Sequence, residues 1–114
     1  MQLKGMEFDF DFSDTEDLQR FEKAHEALLN ADTTGKKASE VARKQCAAAK
    51  TFFDTVLGVS AYEKLVDKPT STLSNNNAIW DFVEAYQQAV DEAKKQQRQR
   101  LDKFKKYTAG RRRT

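Results

Sequence analysis

Chemistry that proteins build from histidine and cysteine has little to work with in this chain, which holds one of each, His25 and Cys46. A metal site needs three or four ligands at motif spacing, and a nucleophilic site needs a base beside its nucleophile. Neither residue has such company, and no glycine-rich phosphate loop is present. Carboxylates abound, but in a chain that is 33% charged they decorate the surface by default. An enzyme is therefore not expected, nor a metal or cofactor. His25 falls on the face of a predicted helix. Cys46, beside Ala42 and Ala49, reads as a small buried hydrophobe and cannot form an intrachain disulfide by itself.

The stronger signal is charge. Through Glu92 the chain carries 10 Lys and Arg against 17 Asp and Glu, a net of −7; from Ala93 onward it carries 10 against Asp102 alone, a net of +9. The candidate binding residues lie in that basic tail: Lys94, Lys95, Arg98, Arg100, Lys103, Lys105, Lys106, Arg111, Arg112 and Arg113. They permit three readings. The cations could neutralise nucleic-acid phosphates, with Phe104 or Tyr107 stacking on bases. Leu101, Phe104 and Tyr107, three residues apart, could instead form an apolar strip that docks in a partner's groove. The third reading is a solvated helix end with no ligand.

The elements that must position these residues follow from periodicity. Met1–Leu3, a Lys4-Gly5 turn and Met6–Phe12 predict a β-hairpin in which Phe8, Phe10 and Phe12 share one face and Glu7, Asp9 and Asp11 the other. Ser13 and Glu16 have the spacing of a capping box, opening a helix with Leu18, Phe21, His25 and Leu28 on one side. That helix should fade near Asn30–Asp32 and stop by Gly35. A second helix is expected from Ser39 to Gly58, with a stripe running from Val41 through Cys46, Ala49, Phe52, Phe53 and Val56 to Leu57. Gly58 should end it at positive φ. Ser60 and Glu63 suggest another box, before a short helix stopped by Pro69.

After a Thr70–Asn77 loop, one long helix should run from Asn75 to Tyr107, capped by Ser74 or one of the three asparagines. Ile79, Phe82, Val83, Tyr86, Ala89, Val90 and Ala93 keep helical spacing in its first half, which should be core; the second half should project. Ala109-Gly110 should end it, leaving Arg111–Thr114 disordered. The fold class is thus mostly α (α+β), with a β-hairpin packed on a small helical bundle and a long C-terminal helix. Residues 1–93 form the compact part, and residues 94–114 a basic helical extension and tail. One core should hold Phe8, Phe10, Phe12, Phe21, Phe52, Phe53, Phe82 and either Trp80 or Tyr86. With no membrane-length apolar run and no signal-peptide pattern, a soluble cytosolic protein is expected. The free hairpin edges and the overlong helix further predict self-association.

Read end to end, the chain resembles small proteins from the tail-morphogenesis region of phages and prophages of Gram-positive bacteria, similar to tail assembly chaperones. The resemblance lies in Met6-Glu7-Phe8-Asp9-Phe10 leading to Phe21-Glu22-Lys23-Ala24, in Ala38-Ser39-Glu40 with Gln45-Cys46 and Phe52–Gly58, in Trp80–Ala85, and in Lys105-Lys106-Tyr107 with its arginine-rich end. It implies a non-enzymatic assembly factor in the host cytoplasm that binds tail-tube or tape-measure protein before polymerisation. It transfers no catalytic residue. Two rivals stand beside it, a nucleic-acid-binding accessory protein and a structural tail component.

Overall fold

The computed structural model describes residues 1–112, with side chains through Thr108. Lys4 and Gly5 both take positive φ, 51° and 73°, the backbone a two-residue hairpin turn needs to match the strand twist. They join β1 (Gln2–Leu3) antiparallel to β2 (Met6–Glu7), with Leu3 opposite Met6. The ladder is shorter than the sequence suggests, since β2 stops at Glu7. The alternation nevertheless continues: Phe8 and Phe10 are buried, Phe12 is half-buried, and Asp9 and Asp11 face outward. Phe8 and Met1 still exchange backbone hydrogen bonds, at 2.7 and 2.9 Å, and the Asp11 N–H donates to the Asp17 carboxylate at 3.0 Å, so aromatic packing and these few bonds together hold residues 8–12 in place.

Four helices follow: α1 (Thr15–Leu29), α2 (Ala38–Leu57), α3 (Ala61–Leu65) and α4 (Thr72–Arg112). Their starts correct three expectations. α1 is capped by Asp14, whose Oδ1 accepts from the N–H groups of Glu16 and Asp17 at 2.9 and 3.0 Å. Ser13 instead turns back, its hydroxyl and its N–H both donating to Asp11 Oδ1. Carboxylates win at this helix start because they accept N–H groups more strongly than a hydroxyl does. Ser60 makes no capping bond; it lies at φ 74°, closing the turn that Gly58 opens at φ 96°. α4 begins at Thr72, three residues before the expected Asn75, because the Ser71 hydroxyl accepts the Ser74 N–H at 3.2 Å. At its far end α4 runs through Gly110 to Arg112 rather than stopping at Ala109-Gly110.

The asparagines are therefore inside the helix, and Asn75 is buried, 2% exposed. Its amide is fully engaged. Nδ2 donates to the carbonyls of Ser71 (2.7 Å) and Pro69 (3.1 Å), and Oδ1 accepts from the Tyr62 hydroxyl at 2.7 Å. The Cys46 Sγ lies 3.4 Å from the same Nδ2, so the half-buried cysteine packs against a polar group rather than in a purely apolar stripe. Burial pushes the Tyr62 phenol above its ordinary pKa.

Helix α2 is the centre of the body, lying against α1, α3 and α4. Phe53 and Phe82 are fully buried, with Phe52 at 2%. Their rings join Phe10, Phe12 and Phe21 in edge-to-face and tilted contacts, such as Phe52 to Phe82 at 5.6 Å and Phe21 to Tyr86 at 4.8 Å, the arrangement the ring quadrupole favours. Of the two candidates for the last aromatic place, Tyr86 takes it; Trp80 faces outward at 63% exposure. Arg20 ties three segments together. Its guanidinium pairs with Asp17 at 2.9 Å, donates to the Val56 carbonyl at 3.3 Å and lies over the Phe10 ring. Across the hairpin turn, Lys4 pairs with Asp67 at 3.2 Å.

Candidate interaction surface

Helix α4 has 41 residues, roughly 60 Å at 1.5 Å per residue, against an overall extent of 75 × 28 × 22 Å. Its first half buries Asn75, Ala78 and Phe82. From Asp91 to Tyr107 every residue is exposed, so this second half is a projecting arm. The arm stays helical because Lys, Gln, Arg and Glu are strong helix formers. Three large apolar side chains lie open on it: Leu101 at 52%, Phe104 at 67% and Tyr107 at 59% exposure.

Their positions are not arbitrary. Leu101, Phe104 and Tyr107 stand eighteen residues beyond Val83, Tyr86 and Ala89, about five helical turns. Of those three, Tyr86 packs against the core and Ala89 lines the groove at the base of the arm, so the arm carries part of the body-facing side of α4 outward, while Arg100 takes the position of Phe82. Leu101, Phe104 and Tyr107 fall within an arc of roughly 120°, whereas the arm's seven described cations, Lys94, Lys95, Arg98, Arg100, Lys103, Lys105 and Lys106, occupy the rest of the helix, with Arg100 alone inside that arc. None of those seven takes part in an ion pair among the described residues. The side chains of Arg111 and Arg112, and Arg113 entirely, lie outside the described residues.

At the base of the arm is a groove of about 1340 Å³ between residues 7–13 and the 85–97 stretch of α4. Phe8, Phe12, Ala89 and Val90 give it apolar walls, and Glu7, Asp9, Asp11 and Glu92 give it acidic edges. The Ser13 hydroxyl and N–H hold the Asp11 carboxyl below its usual pKa, so it stays charged. Asp9 and Glu92 have no ion pair among the described residues. Sequence reasoning placed the three acids of residues 7–11 on one face but did not join them to α4.

Compared with known proteins, residues 4–114 match one family, DUF6673, a family of unknown function. The chain belongs to DUF6673. No curated protein and no solved structure matches it.

For this DUF6673 chain, any chemistry must be read from the surface itself. Among the described residues no group of three or more His, Cys, Asp and Glu could hold a metal ion, and no described helix is long and apolar enough to cross a membrane. His25 is half-buried and stacks on Phe21 at 5.6 Å. A smaller cleft of about 290 Å³ separates α1 from α2, lined by Ala24, Leu28, Ala48 and Phe52. It holds no acid or base except Lys23. The arm and the groove at its base bring apolar surface and unpaired charge together.

Proposed function

We propose that the protein is a non-enzymatic interaction factor in phage tail assembly, holding a tail-tube or tape-measure protein through the arm of α4. The observation that carries the interaction reading is the exposed strip of Leu101, Phe104 and Tyr107, three large apolar side chains within one arc of the arm. A directional apolar strip on a helix is what a partner's hydrophobic groove receives. Cations flanking the strip on that helix steer encounter with an acidic partner and raise its rate, while the strip selects the partner. The phage-tail assignment, with the host cytoplasm as the place of action, rests on the sequence resemblance.

The test is a variant with Leu101, Phe104 and Tyr107 changed to Ala and every Lys and Arg kept. Pull-down with purified tail-tube and tape-measure proteins of the same phage should capture one of them with the native chain and lose it, at least tenfold, with the variant. The seven unpaired cations favour one other reading, nucleic-acid binding. Under it the variant would keep its partner, and the native chain would bind DNA tightly at low salt and release it steeply as salt rises, by counterion release.

A further inference from the structure

We propose that, before a partner arrives, the strip of each copy seats in the groove of a second copy, so that the free protein is an antiparallel, two-fold dimer of crossed arms. This rests on reading the strip as a protein-binding surface and names what covers it first. Strip and groove wall lie on one face of α4, with Phe104 fourteen residues beyond Val90, roughly 21 Å along a continuous helix. An arm that is one helix with its body cannot fold back into its own groove. Two arms laid face to face and antiparallel fill both grooves at once, and the two-fold axis closes the assembly.

Charge selects this arrangement. A parallel pair would set arm against arm, cations against cations. The antiparallel pair sets each arm, with its seven unpaired cations, against the other copy's acidic edge of Asp9, Asp11 and Glu92. Lys103 and Lys106 share a flank of α4 with Glu92, and a two-fold axis brings like flanks together. Aromatic side chains bury about 150–250 Å² each, so Phe104 and Tyr107 of two copies, about two-thirds exposed, supply roughly 400–650 Å², and Leu101 with the groove walls supplies the rest. A stable interface needs about 1,200–2,000 Å² in total. Self-association and partner binding then exclude each other, because both use the strip.

Sedimentation velocity on the full chain tests this, with partner pull-down measured in parallel. The native chain should double its mass at micromolar concentration. Phe104→Asp should make it monomeric. Asp9→Lys with Glu92→Lys, which leaves the strip untouched, should weaken the dimer at least tenfold while keeping partner capture. Mixing that chain with one carrying Lys103→Glu and Lys106→Glu should restore a heterodimer. A native monomer at hundreds of micromolar, or a dimer indifferent to Phe104→Asp, would overturn the inference. If the native chain stays monomeric yet the triple alanine variant loses its tail partner, the dimer fails and the proposed function stands. If the dimer behaves as described but that variant still captures the partner, the proposed function fails and the dimer stands.

Discussion

Asn75 shows how one polar residue can fix the junction of three segments. Its amide joins the carbonyls of Pro69 and Ser71 to the hydroxyl of Tyr62, and no buried side-chain polar atom among the described residues is left without a partner. Tyr62→Phe would leave Asn75 Oδ1 unsatisfied, so it should cost about 1–3 kcal/mol at neutral pH. The same pair carries a pH signature. Burial raises the Tyr62 pKa in the folded chain, so the fold favours the protonated phenol. That contribution is complete below the unfolded phenol's pKa of ~10 and is lost as pH rises through the folded value. Denaturation of both proteins across alkaline pH should therefore show the native chain losing more stability than Tyr62→Phe, the gap closing above pH ~10. Parallel curves would mean that the phenol is not buried in solution.

Among the elements, α4 joins two kinds of helix without a break. Up to Val90 its stability comes from packing Phe82, Tyr86 and their neighbours on α2 and the N-terminal segment. Beyond Asp91 none of the described side chains is buried, so the arm depends on helix propensity and on continuing an existing helix, which spares it the cost of nucleation. A chain ended after Ala93 should therefore keep its cooperative thermal transition within a few degrees, at concentrations below self-association, while losing helical circular dichroism in proportion to the residues removed. Loss of the transition would show that the arm stabilises the body. Gly58 marks the opposite case, an element end fixed by backbone alone: φ 96° with ψ 168° suits glycine and few other residues.

The whole molecule is an acidic body with a basic lever. Its radius of gyration is 19.5 Å, where a compact chain of this length would give roughly 13 Å. Small-angle scattering of the Phe104→Asp chain should return a value near the larger figure and an elongated distance distribution. A value near the smaller one would mean that the arm collapses on the body in solution. Separating the charges along 75 Å also limits attraction between arm and body within one molecule, since exposed charges more than about 8 Å apart are largely screened at physiological salt. Between molecules the same charges can come into contact.

Much of this was legible in the sequence because its causes are local. The alternation of Phe8, Phe10 and Phe12, the 3.6-residue stripe of α2, the Lys4-Gly5 turn and the exposed basic arm all follow from the order of residues along one element. The sequence also grouped Phe52, Phe53, Phe82 and Phe21 in one core, since rings of that size have few other places to go. What it misassigned or left open were choices between neighbouring groups of similar chemistry: it gave the caps to Ser13 and to Ser74 or an asparagine where Asp14 and Ser71 take them, and it left Trp80 and Tyr86 undecided where Tyr86 turns inward. Each was decided by which side chain the tertiary packing brought within bonding distance or turned inward. The groove was beyond the sequence altogether. Its walls are Phe8 and Phe12 on one side and Ala89 and Val90 on the other, some eighty residues apart, and only the docking of the N-terminal segment on α4 makes them a single surface.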